Sequence, residues 1–226
     1  MKNTYSIIIP IFNELAHLQK LINELKPYYK KGHEIIIIDD GSNDGSYEFL
    51  LQNKTIKLYR FNTNKGKGNA IKKGIIESNN EKIILYDADF ELHPKDITKL
   101  MILNREKGIE SVFGNRFNTS NSNLFWDLGN IFITKFFNLV NGSNLDDALC
   151  CAKSFYKSDI TLEEIRSKKF DIDVEILSQL ICKGNNFRTV DIDYTRRGKT
   201  DGKKLKTFDG FYIVFKICTQ FKKFYN

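Results

Sequence analysis

Four consecutive isoleucines at positions 35–38, between Glu34 and the acidic turn Asp39-Asp40-Gly41-Ser42-Asn43-Asp44-Gly45-Ser46, constrain this chain more than any other stretch. A short unbroken β-branched run suits a strand covered on both faces, and such strands belong to parallel sheets flanked by helices. The same grammar recurs. Residues 5–9 form a second apolar run that ends at Pro10, after which Asn13 and Glu14 open a helical pattern of Leu15, Leu18, Leu21, Ile22 and Leu25. Residues 82–86 form a third, ending in Asp87-Ala88-Asp89. Between them a basic glycine loop, Asn64-Lys65-Gly66-Lys67-Gly68-Asn69-Ala70, leads into a helix. The expected fold is a three-layer α/β/α domain with a mostly parallel central sheet, whose strand ends line the ligand crevice.

Asp87 and Asp89 carry the chemistry of that crevice. Residues two apart leave a strand on the same face, so both carboxylates can approach one hard cation. One or two carboxylates plus substrate phosphates is how Mg²⁺ or Mn²⁺ is usually held. Such an ion neutralises a departing diphosphate, the need of an enzyme that uses a nucleotide-sugar. Each segment alone has a plainer use: an Asp cap, a first-turn acid at Glu14, a solvated loop with neither Walker nor dinucleotide spacing. Their order and spacing together favour the functional reading.

That combination resembles family 2 glycosyltransferases, in particular the dolichol-phosphate mannosyltransferase-like and polyprenyl-phosphate branch. The matching motifs include Ile-Ile-Pro-Ile-Phe-Asn-Glu, Ile-Ile-Asp-Asp-Gly-Ser and Asp-Ala-Asp-Phe-Glu-Leu-His-Pro. Further on come Phe113-Gly114-Asn115-Arg116, Leu145-Asp146-Asp147, Phe170-Asp171-Ile172-Asp173-Val174-Glu175, Tyr194-Thr195-Arg196-Arg197 and Asp201-Gly202-Lys203-Lys204. The resemblance implies a GT-A catalytic domain over residues 1–210, followed by a basic aromatic tail at 211–226. It implies donor contacts from Pro10, Asn13, Glu14, Asp39, Asp40, Lys67, Asp87, Ala88 and Asp89, and metal ligation by Asp89 with Asp87 and Glu91. Lys67, Arg197 and the metal would stabilise the leaving diphosphate. Arg116, Arg197, Lys203 and Lys204 would hold an anionic acceptor, and inversion at the anomeric carbon would follow. A polyprenyl or dolichyl phosphate oxygen attacks without a base. A sugar hydroxyl in a cell-surface glycan would need a carboxylate, and Asp146 and Asp147 occupy the region where sugar-acceptor relatives place theirs. Leu149, Ala152 and Asp191 depart from the family pattern on the acceptor side, so both acceptors stay open, as do the donor base and sugar (GDP- or UDP-linked). A binding protein without catalysis and a sugar-phosphate nucleotidyltransferase are the readings from other classes. The N-terminal Pro-Ile-Phe-Asn-Glu lacks the Gly-rich, Arg-containing loop of the latter.

Charge is unevenly placed. Residues 195–226 hold nine Lys/Arg against two Asp, which accounts for the formal +7 of the whole chain. Phe208, Phe211, Tyr212, Phe215, Phe221, Phe224 and Tyr225 interleave with them. That mixture suits an anionic membrane interface, and no nucleic-acid motif accompanies it. The competing arrangement is a helix that packs its aromatics on the core. Residues 124–140 form a second aromatic-rich helix with one narrow polar stripe, Asp127, Asn130, Thr134 and Asn138. Such a helix is more often core than membrane-seeking. No signal-peptide pattern precedes the first strand and no run reaches membrane-spanning length, so the expectation is a cytoplasmic protein, peripheral at the membrane face. The four cysteines lack zinc spacing and are expected to be reduced thiols.

Overall fold

The structure, a computed structural model, describes residues 3–116, 124–195 and 207–224. The strands are β1 Tyr5–Ile11, β2 Glu34–Asp39, β3 Lys57–Arg60, β4 Lys82–Leu85, β5 Ser111–Asn115, β6 Lys153–Tyr156 and β7 Phe187–Asp191. They form one sheet in the order β3-β2-β1-β4-β6-β5-β7. Strand β6 pairs antiparallel with both β4 and β5, while every other pairing is parallel. The helices are α1 Leu15–Lys30, α2 Ser46–Leu51, α3 Lys67–Glu77, α4 Ile97–Leu100, α5 Leu124–Asn141, α6 Ile172–Cys182 and α7 Thr207–Phe224.

The isoleucine runs explain the layers. Side chains alternate across a strand, so Ile7, Ile9, Ile35 and Ile37 enter one core with Leu18, Leu21, Leu25, Leu50 and Leu100 of α1, α2 and α4. Ile8, Ile36 and Ile38 enter the other, with Ala70, Ile71, Ile75, Phe137, Ile176, Ile213 and Ile217 of α3, α5, α6 and α7. Each such side chain contributes about 1.5–3 kcal/mol when fully buried. Helix α3 lies so close to β1 that a Cβ on Gly74 would sit 2.3 Å from Ile8 Cγ2. That approach fixes the glycine loop ahead of α3 against the strand ends.

Two helices leave part of their apolar surface outward. On α5, beside the buried Phe137, two polar side chains turn inward: Thr134 Oγ1 accepts from Ala148 N (3.1 Å), and Asn138 accepts from Leu145 N (3.0 Å) and donates to Leu145 O (2.9 Å). Leu128, Phe132 and Leu139 are left exposed. On α7 the aliphatics Ile213 and Ile217 are buried, whereas Phe211, Tyr212 and Phe215 face solvent. Phe211, Tyr212 and Phe215 thus do not pack on the core, and the side chains of Phe208, Phe221, Phe224 and Tyr225 lie outside the described ones. Among the described residues no helix is long and apolar enough to cross a membrane, and all four cysteines are free.

Candidate active site

The carboxyl ends of β1, β2 and β4 converge, and their loops clasp one another through side chains. Asn13, held at φ 52°, donates its amide to Ser42 Oγ (2.9 Å) and accepts from Asn43 N (2.9 Å). Glu14 is buried, its amide donating to Ser46 Oγ (3.1 Å), and Pro10 lies at the end of β1 beside Ile38. Asp39 is fully buried. Its Oδ1 accepts from Ser42 N (3.0 Å), and its Oδ2, which accepts no hydrogen bond, faces Arg60 Nε at 3.3 Å. Asp40 instead organises the glycine loop, accepting from Lys65 N (2.7 Å) and Gly66 N (2.8 Å). Burial pushes the Asp40 carboxyl up, against the pull of those two amides.

Gly66 has φ 92°, a left-handed value that disfavours other residues, and a Cβ there would lie 2.3 Å from Lys168 O. This turn starts α3 at Lys67 and aims its ammonium at Asp87 Oδ2 (3.0 Å) and Asp173 Oδ2 (3.2 Å). Burial opposes the Lys67 charge, yet Asp173 and Asp87 hold its pKa well above the ordinary lysine value. Asp173 Oδ1 accepts in turn from the buried Lys153 (2.6 Å). Two residues on, the fully buried Glu175 accepts from Arg166 N (3.1 Å) and Ser167 N (2.7 Å), and pairs with Lys216 of α7 (3.4 Å). Lys168 O then receives Gly68 N (2.9 Å), so the segment leading into α6 braces the start of α3.

These carboxyls set an acid limit. Burial alone would raise Glu175, but the Ser167 and Arg166 groups and Lys216 bring it below its ordinary 4.5. Burial likewise works against Asp173, and Lys153 and Lys67 outweigh it, taking it below 3.8. A depressed carboxyl contributes stability that is complete above its unfolded pKa and lost as pH falls through the folded one. Thermal unfolding from pH 7 to pH 3 is therefore expected to show a midpoint whose fall steepens below about pH 4.5, where the unfolded chain begins to bind protons that the fold refuses. A midpoint as high at pH 3 as at pH 6 would contradict it.

Asp87, at the end of β4, is half-buried, and Ala88 beside it is buried. Asp89 Oδ1 accepts from Glu91 N (3.1 Å). Between them Phe90 adopts φ 58°, a strained value for an aromatic residue of the kind found at functional turns. Among the described residues no cluster of three or more His, Cys, Asp or Glu is set to hold a metal, so Asp87, Asp89 and Glu91 do not form a closed cage. Two hard carboxylates beside a lysine still fit a cation that takes its other ligands from phosphates and water.

Leu92 bridges to Tyr194, and Thr195 N donates to Glu91 O (2.8 Å). The segment after β7 that enters the Tyr-x-x-Arg motif is thus stapled to the Asp-x-Asp loop. Arg116 grips Asp147 with two bonds, Nε to Oδ2 (2.6 Å) and a terminal nitrogen to Oδ1 (2.9 Å), and its guanidinium lies 5.5 Å from the Tyr194 ring. Burial opposes the Arg116 charge, but Asp147 holds its pKa well above the ordinary value. Arg197, Lys203 and Lys204 lie outside the described residues. Sequence reasoning missed Arg60 altogether. It quoted Lys153, Asp173 and Glu175 only as motif letters, although acidic residues beside a buried helix start were the available signal for the last two.

The chain matches Glycosyl transferase family 2 over residues 6–162. It is 27% identical over 232 residues to the uncharacterized protein MJ1222 of Methanocaldococcus jannaschii, covering 97% of this chain and 93% of that one. It is 27% identical over 212 residues to the undecaprenyl-phosphate 4-deoxy-4-formamido-L-arabinose transferase of Photorhabdus laumondii, covering 90% of this chain and 63% of that protein. This chain therefore spans less than two thirds of that relative. Glucosyl-3-phosphoglycerate synthase from Mycobacterium tuberculosis, in complex with Mn²⁺, UDP and glucosyl-3-phosphoglycerate, has the same GT-A fold at a TM-score of 0.73 and 12% identity, over 97% of this chain and 80% of that one. Its complex with phosphoglyceric acid gives 0.74 at 14% identity. With the family matched across more than half its length and the fold that goes with it, this chain belongs to glycosyl transferase family 2.

Proposed function

We propose that the protein moves a hexose, with inversion, from a nucleotide-sugar to a polyprenyl phosphate at the surface of an anionic membrane. The observation that carries the acceptor is the Arg116–Asp147 clamp. A hydroxyl acceptor needs a carboxylate that can take its proton, and Asp147 is fully buried with both oxygens committed to Arg116. A phosphate monoester oxygen is already an anion and attacks the anomeric carbon directly as the glycosidic bond to the nucleoside diphosphate breaks. The relatives named for undecaprenyl phosphate support this choice.

On the donor side, Asp39 Oδ2, ion-paired with Arg60 but accepting no hydrogen bond, suits an N–H of the nucleotide base, with Pro10, Asn13, Glu14 and Asp40 shaping that pocket. Asp87, Asp89 and, behind them, Glu91 would hold Mg²⁺ or Mn²⁺, which supplies positive charge to the departing diphosphate. Lys67 supplies a second positive charge there. Arg197, Lys203 and Lys204, with Arg116, are assigned to the acceptor phosphate. Asp147→Asn separates the acceptors: loss of a general base costs about 10²–10⁴-fold, whereas transfer to polyprenyl phosphate should slow far less. A loss of that size in a variant that still unfolds cooperatively, with a sugar alcohol outperforming polyprenyl phosphate, would favour a glycan-hydroxyl enzyme.

The outward faces of α5 and α7 support the membrane assignment. Phe132 (65% exposed), Leu139 (81%), Phe211 (73%) and Phe215 (68%) stand on two helices that share one core, and the excess charge lies in the same C-terminal stretch. Apolar patches beside basic residues bind head groups, each Lys or Arg contributing about 1 kcal/mol near an anionic leaflet. Flotation with phosphatidylserine vesicles is expected at low salt and lost at high salt, and Phe211→Ser/Phe215→Ser should weaken it. No flotation at low salt would remove the membrane from the proposal and leave the transferase untouched.

A further inference from the structure

Lys153, Asp173, Lys67 and Asp87 form a line of alternating charge that runs from the sheet interior to the donor site. The contacts are 2.6 Å, 3.2 Å and 3.0 Å, and side-chain exposure rises along the line from 1% at Lys153 through 7% and 11% to 27% at Asp87. Lys153 opens β6, directly opposite Leu85 at the end of β4, and its side chain has no exposure to explain a charge there. Taking an ammonium out of water costs several kcal/mol, and an apolar residue of similar volume is often as stable or more so. A buried lysine at this position therefore calls for a use other than stability.

Resting on the donor-site reading above, we infer that Lys153 is a positioning residue for Lys67. Asp173 has two oxygens and two cations to satisfy. Lys153 takes Oδ1, which leaves Oδ2 alone for Lys67 and keeps that ammonium shared with Asp87. Without Lys153 both oxygens of Asp173 would draw on Lys67, pulling it from Asp87 toward α6 and away from the diphosphate. The sheet, through one antiparallel strand, thus sets how much positive charge meets the leaving group.

The test uses Mn²⁺-pyrophosphate, a diphosphate probe independent of base and sugar, titrated calorimetrically into the full-length protein. Lys153→Met leaves the buried Asp173 with one cation in place of two, so its unfolding midpoint is expected to fall, and the folded variant to bind the probe roughly 10–100-fold more weakly, the range seen when supporting partners of a binding group are removed. Lys153→Met/Asp173→Asn removes the carboxylate that would draw Lys67 away from Asp87, so it should fold at least as well as Lys153→Met and recover binding toward the parent's. Equal binding by the parent and folded Lys153→Met, or a folded double variant that binds no better than Lys153→Met, would overturn the proposal alone. No binding by the parent would overturn the diphosphate reading and the proposal with it. A measurement on the parent guards against variants that do not fold: ¹⁵N-lysine labelling should reveal ammonium signals protected from solvent exchange at neutral pH, one of which Lys67→Arg removes and Mn²⁺-pyrophosphate shifts. Absence of protected ammonium signals would overturn the ion-paired line itself.

Discussion

Asp89→Asn should lower hexose transfer by about 10²–10³-fold, the cost of removing one preorganised electrostatic contact to developing charge, while leaving the unfolding midpoint unchanged. The reason lies in what each substituent keeps. Asparagine is the same size as aspartate and its carbonyl can still accept the Glu91 amide that Asp89 Oδ1 accepts at 3.1 Å, so the strained turn at Phe90 is preserved. What is lost is one negative charge at the end of β4, where a cation and the diphosphate would meet. Steady-state transfer at several Mn²⁺ concentrations distinguishes the outcomes. Near-normal turnover at limiting metal would show that Asp89 does not serve the metal.

Arg116→Met should have the largest effect on stability. It strands the Asp147 carboxylate, whose side chain has no exposure, and breaking a buried pair by removing one partner costs about 3–5 kcal/mol. For a chain of this length each kcal/mol moves the unfolding midpoint by roughly 2–4 °C, so a drop on the order of 10 °C is expected. Arg116→Met/Asp147→Leu removes both charges and should recover most of that drop, since paired apolar replacements are often neutral. Neither variant should transfer well, because in the function proposed the clamp also shapes the acceptor side. If Arg116→Met alone unfolds like the parent, the clamp is not the buried pair described.

What was legible in the sequence follows from periodicity. Ile35, Ile36, Ile37 and Ile38 announced a strand covered on both faces because both faces demanded β-branched side chains, and their alternation between the two cores is the direct consequence. Asp87 and Asp89 were legible because a strand end fixes where its next residues emerge. The roles of Asp40 and Asp173 were not, since a partner such as Lys67, 106 residues from Asp173, is chosen by topology rather than by spacing. Helix α5 shows the same limit from the other side. Its polar stripe revealed a face, yet only the loop at 143–148, with unpaired backbone groups to satisfy, decided that Thr134 and Asn138 turn inward and Phe132 outward. The antiparallel β6, which delivers Lys153, left no periodic mark at all.

The central claim is tested most directly by incubating the purified protein with Mn²⁺, radiolabelled UDP- and GDP-hexoses and either undecaprenyl phosphate in anionic vesicles or a panel of free sugars. Label passing from one of the donors into an organic-phase, acid-labile lipid product, with release of the matching nucleoside diphosphate and none into the free sugars, is the result predicted. Label passing into the free sugars while the lipid stays bare would contradict it.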